Sequence, residues 1–344
     1  MEQFDMQQYW KIMPQYHPGY PILRRQANVQ GGVLLLYKGI LNLMVVAAVF
    51  ASAFAQMFAT MFSSAMEFAT MPELDLDAIM SEMMDSMGWG YLMAVLVGWV
   101  LLRLWKGNDF FHYEIYRTGR PMPLGTFVCL VCLTFGCQLP AQLLTMGLEW
   151  LSNLFGGSLT DVLQENGADM DTLPMWLYAC LAAPITEELL FRGLLIRSIE
   201  PFGKKFAIVV SAVLFGLYHG NPIQTPYAFA VGLILGYVAL EYNVIWAMVL
   251  HMMNNLLLGD SLPRLLQLLP YQLGDLVMWA VLILFFLVSI IILLLKWRQI
   301  RRRCWQECVE PWQKHAFWKS PCMILVVVWS LLDIVMVCVM ALRA

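Results

Sequence analysis

Three ionisable side chains crowd one apolar run of this chain, Ala183-Pro184-Ile185-Thr186-Glu187-Glu188-Leu189-Leu190-Phe191-Arg192-Gly193. On a helix, Glu188 and Arg192 are four apart, share a face and neutralise one another. Glu187 is rotated by about 100° from Glu188 and is left without that partner. A carboxylate so placed suits a general base or acid. A second apolar run ends Leu214-Phe215-Gly216-Leu217-Tyr218-His219-Gly220, and a third carries His251-Met252-Met253-Asn254-Asn255. His251 and Asn255 share a helix face, and Asn254, three residues on, is nearly as well placed. The other histidines, His17, His112 and His315, fall in or near polar segments. Amide hydrolysis needs a base for water, a proton donor to the leaving amine, and donors aimed at developing negative charge.

Each of these residues alone has a bland explanation. Glu188 with Arg192 could be a structural ion pair, and an intramembrane histidine is often a hydrogen-bond donor between helices. Such polar contacts return only about 0.6 kcal/mol each on average. Placing an ionisable group at the centre of a spanning helix costs roughly 2.5–3.5 kcal/mol. Taken together, the set is better explained by a functional cavity than by adhesion between helices. Lys38, Glu149 and Asp333 have no neighbour of matching chemistry in the sequence and carry no function in this reading, and Glu241 reads as a loop boundary. Gly232 and Gly236 form a small-xxx-small pair that predicts close helix packing.

The elements that must hold these groups follow from composition. Apolar residues make up 60% of the 344, charged residues only 13%, and the mean hydropathy is +0.66. Soluble domains carry roughly 25% charged residues, so most of this chain has a solvent other than water. Nine apolar stretches are legible, at about 33–64, 88–105, 124–152, 175–199, 206–220, 226–241, 244–259, 276–296 and 322–342. All are expected to be helices, because a lone strand leaves its backbone unpaired in lipid. The expected fold is an all-α, polytopic transmembrane bundle of about nine spans forming one membrane domain, 1–344. Its catalytic helices would lie at about 175–259, with extra flanking helices at 33–152 and 276–342.

Charge alternates between the connections. Arg24 and Arg25 precede the first stretch, and Glu67, Glu73, Asp75, Asp77, Glu82 and Asp85 follow it. Arg103, Lys106, Arg117 and Arg120 follow the second, and Asp161, Glu165, Asp169 and Asp171 the third. Arg197, Lys204 and Lys205 come after the fourth, and Lys296, Arg298 and Arg301 to Arg303 after the eighth. Basic loops prefer the cytoplasm, so the N-terminus is expected there. Residues 1–30 hold no apolar core of signal-peptide type. The cluster Arg301–Arg303 reads as a topology anchor or a contact with anionic headgroups rather than a nucleic-acid site. Among eight cysteines, Cys304 and Cys308 sit in a basic loop without the second ligand pair of a zinc site. The many methionines read as packing filler.

Glu187-Glu188-x-x-x-Arg192, Phe215-x-x-x-His219 and His251-x-x-x-Asn255 together resemble the three motifs of the CPBP (Abi) intramembrane proteases, the family of the CAAX prenyl endopeptidase and of bacterial relatives linked to bacteriocin processing or immunity. The resemblance covers about 175–259 and has no departure at a motif position. It implies an intramembrane endopeptidase in which Glu187, partnered by His219, binds and deprotonates the attacking water. His251 and Asn255 would donate to the oxyanion, and Glu188 and Arg192, with Phe215 and Asn254 beside them, would support the site. No cofactor is favoured. If a metal takes part, a zinc held by Glu187, His219 and His251 is the expected form; His-x-x-x-Asn lacks the second histidine of a His-Glu-x-x-His helix, and an amide such as Asn255 donates hydrogen bonds better than it ligates zinc. The expected partners are a peptide or membrane-protein substrate and the lipid bilayer, in a bacterial plasma membrane. Two other readings use the same residues: a proton-coupled transporter, which predicts duplicated halves that the sequence does not show, and a non-catalytic immunity-type partner.

Overall fold

A computed structural model describes residues 13–66, 76–115, 117, 119–166, 171–306 and 309–343. Among these the secondary structure is helical throughout, with no strand. The acidic residues Glu67, Glu73, Asp75 and Asp169, together with Cys308, lie outside the described residues, as do the side chains of Asp77, Glu165, Arg303 and Cys304.

Two kinds of helix build the bundle. Those of the first kind are long and greasy: α1 (Tyr20–Met66), α2 (Leu76–Asp109), α3 (Leu124–Gly136) continuing across Cys137 into α4 (Gln138–Leu154), α10 (Tyr271–Gln306) and α12 (Pro321–Ala341). Five stretches on these helices, Tyr20–Ser63, Ile79–Tyr113, Leu124–Leu154, Tyr271–Arg302 and Pro321–Ala341, are long and apolar enough to cross a membrane. The protein is an integral membrane protein of all-α architecture. Two short helices, α5 (Leu159–Asn166) and α11 (Pro311–Trp318), lie in the connections.

The second kind carries the motifs. Helix α6 runs over residues 173–199 and is interrupted twice by π-helical turns, at Tyr178–Ala182 and Leu189–Ile196. Helix α7 (Lys204–Tyr218) and helix α8 (Gln224–Glu241) form a hairpin, and α9 starts at Val244–Met253 and widens into a π-helical turn at Asn254–Ser261. Of the nine expected spans, five coincide with these lipid-length stretches and the other four with the motif helices α6 to α9. At 15 residues, α7 rises about 22 Å, less than the roughly 30 Å of a hydrocarbon core.

Packing explains how such short, polar helices persist. Every residue of Leu189–Ile196 is buried, as are Val210, Leu214, Phe215, Val231, Leu235, Ala247 and Leu250 on the neighbouring helices. The glycine pair in α8 does what its spacing predicted. A Cβ on Gly232 would stand 3.1 Å from the Cα of Ala212, and one on Gly236 would stand 3.2 Å from Ile208. Helices α7 and α8 thus touch nearly backbone to backbone, which is how membrane helices pack without a hydrophobic driving force.

Three residues read as bland are not isolated. Lys38 Nζ on α1 lies 2.5 Å from Asp333 Oδ2 on α12. Glu149 accepts hydrogen bonds from the backbone N–H groups of Leu159 and Thr160, each at 2.9 Å, and from Ser158 Oγ. It caps the free donors at the start of α5. These partners come from distant or following elements, so a reading confined to each residue's own stretch could not find them. Glu241 does close α8, where Arg120 approaches it at 3.8 Å.

Candidate active site

Local chain chemistry first places Glu187 and Glu188. Pro184 has no N–H to give to the preceding turn. In the π-helical turn before it the Ala183 N–H reaches back to the Tyr178 carbonyl, so the next bond in that series would join residue 184 to Ala179. Proline cannot make it, and Asn255 Nδ2 from α9 donates to the Ala179 carbonyl instead, at 2.9 Å. A break in one helix is thereby satisfied by a motif side chain of another. Thr186 back-bonds to the Ala182 carbonyl at 2.7 Å and accepts from Trp99 Nε1 of α2 at 2.9 Å. One turn of α6 is thus fixed from both sides, and Glu187 and Glu188 follow it directly.

The two carboxylates then part company. Glu188 is sealed: its Oε1 accepts from Arg192 Nη1 at 2.9 Å, and the side chains of both residues are 0% exposed. Arg192 also reaches the Gly232 carbonyl at 3.4 Å and stacks its guanidinium 4.2 Å above the Phe215 ring. This is the helix-face pair the sequence predicts, with a third member that it does not. His251 Nδ1 lies 3.0 Å from the same Glu188 Oε1. A hydrogen bond from Nδ1–H to that carboxylate fixes the ring, as an orienting carboxylate does in other histidine sites. The opposite nitrogen, Nε2, then faces Glu187 Oε2 at 3.8 Å. The Glu187 side chain is 21% exposed against 0% for Glu188. Of the two glutamates, only Glu187 is open to a reacting molecule.

Phe215 sits at the centre of the cluster. The His219 ring meets it edge-on at 4.9 Å between centroids and the His251 ring at 5.6 Å, while Phe191 packs edge-on at 5.3 Å. His219 Nδ1 lies 2.8 Å from the Phe215 carbonyl one turn back. With the proton on Nδ1, the ring donates to that carbonyl and leaves Nε2 as the free nitrogen. Among the described residues no hydrogen bond or ion pair joins His219 to Glu187. The structure therefore brings Glu187, Glu188, Arg192, Phe215 and His251 together and seats His219 against the same Phe215 ring.

The asparagines form a chain rather than a single donor. Tyr227 OH donates to Asn254 Oδ1 at 2.6 Å, and Asn254 Nδ2 donates to Asn255 Oδ1 at 3.2 Å. Asn255 ends the chain on the Ala179 carbonyl. One N–H of each amide remains outside these bonds.

A tyrosine wall escaped the sequence reading. Tyr37, Tyr178 and Tyr218 all lie near enough to Glu187 to interact with its charge, and Tyr91 stacks on Tyr178 at 4.4 Å. Tyr218 OH donates to the Leu34 carbonyl at 3.1 Å. The available signal was the position of polar-tipped aromatics inside apolar runs, where a buried phenol requires a partner. Tyr37, Tyr91 and Trp99 come from flanking helices that carry no motif.

Among the described residues no group of three or more His, Cys, Asp and Glu is placed to hold a metal ion, and Glu187, His219 and His251 are no exception.

Comparison with known proteins agrees with the motif reading. Residues 169–257 match the family model described as type II CAAX prenyl endopeptidase Rce1-like. The matched segment is about a quarter of the chain and contains every motif residue. No curated protein and no solved structure matches the chain.

Proposed function

Taking as premise that the core of this membrane protein matches the Rce1-like, CPBP-type proteases, we propose that it is an intramembrane endopeptidase using water activated by Glu187. The observation that carries this reading is the imidazole of His251 standing between two unlike carboxylates. Glu188, paired with Arg192, holds the ring, while Glu187, partly exposed, faces its free edge at 3.8 Å. A water bound to Glu187 is the nucleophile, and Glu187 takes its proton as the water attacks a peptide carbonyl. The same carboxyl, or His219 through Nε2, returns a proton to the leaving amine. Nε2 of His251, in the doubly protonated ring, and the uncommitted N–H of Asn255 supply hydrogen-bond donors for the oxyanion, a function worth about 2.7–4 kcal/mol per donor in acyl-transfer enzymes. The dry surroundings strengthen each of these interactions.

The substrate is a peptide or a membrane-protein segment presented in extended form, because a helix hides its own carbonyls in hydrogen bonds. The description of the matched family makes a prenylated C-terminal peptide the first substrate class to try. The N-terminus is assigned to the cytoplasm and the membrane to a bacterial cell, on the charge of the connecting segments and the bacterial members of the family. Purified protein in lipid nanodiscs, incubated with a farnesylated CAAX peptide and its unlipidated twin, should release a C-terminal fragment detectable by mass spectrometry. E187Q should release it about 10²–10⁴-fold more slowly. Cleavage by E187Q at the wild-type rate would remove Glu187 from its role.

A further inference from the structure

We propose that the Lys38–Asp333 ion pair lines an aqueous cleft, bounded by α1, α12 and the α7–α8 turn, through which water reaches the His219 side of the site. Its use as a supply route rests on the peptidase reading, but the cleft itself does not.

Three observations converge on it. Asp333 lies about 18 Å along α12, a helix of 21 residues, and so near the middle of a bilayer. Its side chain is nevertheless 37% exposed, while Lys38, 2.5 Å away, is 11% exposed. The Glu188–Arg192 ion pair, by contrast, is fully enclosed by protein. Lipid does not accept a carboxylate at that depth, so one that protein leaves partly uncovered is accommodated where it lines water.

The second observation is the α7–α8 turn. Helix α7 is too short to cross the hydrocarbon region, so the turn after it ends inside the membrane's thickness. Its groups are polar and accessible: Asn221 Oδ1 accepts from the Gln224 N–H at 2.7 Å, and Asn221 Nδ2 donates to Gln224 Oε1 at 2.9 Å. Irregular backbone is tolerated at such depth where it lines a water-filled space.

The third observation joins the two to the site. Gly220 takes φ +67°, a left-handed conformation that favours glycine, and a Cβ there would stand 3.0 Å from Asp333 Cβ. The turn therefore rests against the carboxylate-bearing residue, with His219 next in the chain. Lys38 Nζ lies 5.1 Å from the Tyr218 ring centre and 5.7 Å from that of Trp329. Lys38 and Asp333 thus brace the corner that presents His219, and both come from helices outside the matched segment.

Thiol labelling tests the cleft without any substrate. In a background with all eight cysteines replaced, single cysteines are introduced as N221C, D333C and L332C, and the proteins are reconstituted into sealed vesicles. Leu332 is next to Asp333 at the same depth, rotated by about 100° around α12, and is 62% exposed; an apolar side chain exposed at that depth is the control for lipid contact. A charged, membrane-impermeant methanethiosulfonate reacts with thiolates, which form only in water, so N221C and D333C should label about tenfold or more faster than L332C. Labelling of N221C no faster than L332C would overturn the cleft; N221C leaves the ion pair intact and decides the matter if D333C fails to fold. Fully modified N221C should lose hydrolysis several-fold, and unchanged turnover after complete modification would overturn the supply route. Neither labelling rate depends on Glu187, so loss of cleavage in E187Q and failure of the cleft would be told apart.

Discussion

Helix α10 and helix α6 are both strongly apolar, yet they meet opposite surroundings. Along α10, Leu284, Leu287, Ile291 and Leu294 face outward, whereas all residues of Leu189–Ile196 in α6 are buried. The first helix is regular over 36 residues, and the second is interrupted by two π-helical turns and carries Glu187, Glu188, Arg192 and Arg197. Apolar content therefore does two jobs here. On the belt of long helices it meets lipid, and in the core it seals polar groups that lipid would not accept. A helix such as α6 or α7 is too short or too polar to be a good span alone. It holds its place because the belt and the helix contacts around Gly232 and Gly236 enclose it.

The comparison breaks most readily at Glu187. If the core exists for chemistry, E187Q should lower peptide cleavage by about 10²–10⁴-fold, the usual contribution of a positioned base. It should leave thermal unfolding nearly unchanged, since Glu187 is partly exposed and its contact with His251 is a loose 3.8 Å. A folded E187Q protein with unaltered turnover would make the core a structural device.

How far the site was legible depends on where each partner lies in the chain. Glu188 with Arg192 could be read directly, because helix periodicity alone brings residues four apart together. The approach of His251 to both glutamates could not, since it crosses from α9 to α6 and depends on packing around Phe215. Asn255 was half legible: its type marked a donor, but its acceptor, the Ala179 carbonyl, emerges only once Pro184 and the π-helical turn are considered together. Lys38 and Asp333 were illegible as a pair, being nearly the whole chain apart. The apolar stretches all proved helical. Composition alone did not separate helices that face lipid from motif helices packed inside the bundle, because a buried core helix and a membrane span share the same composition.

Glu188 and Arg192 sharpen the same contrast through stability. Removing one partner leaves a charge uncompensated in the most enclosed part of the protein, so E188A or R192A should each cost about 3–5 kcal/mol. The double change E188L/R192M should cost less than either single, because no unpaired charge remains. Denaturation in detergent, followed by tryptophan fluorescence, gives the order. His251 would also lose its orienting acceptor in the double variant, so cleavage should stay low even where stability returns. Recovery of both would show that Glu188 acts only as a partner to Arg192.

Asn255 stands between the two regions, as a motif residue whose visible bond is structural. N255A orphans the Ala179 carbonyl and should cost about 1–3 kcal/mol of stability. If its second N–H also meets the oxyanion, turnover should fall by about 2.7–4 kcal/mol in activation free energy, with KM little changed. A stability loss without a fall in kcat would confine Asn255 to bracing α6.

The smallest effect belongs to the belt. Leu294 of α10 is 71% exposed and presents its side chain to lipid. L294A exchanges lipid contact for slightly less lipid contact and opens no cavity, so stability should move within about 0.5 kcal/mol and turnover should not change. Leu195 of α6, fully buried, is the matched partner for the experiment. L195A removes the same atoms from a packed interior and should cost about 2–5 kcal/mol. Equal losses at the two positions, measured by the same denaturation curve, would mean that α10 is not lipid-facing and packs against protein instead, for instance a second copy of the chain. The belt and the core would then be one continuous interior, and the distinction between sealing and solvating apolar surface would no longer hold.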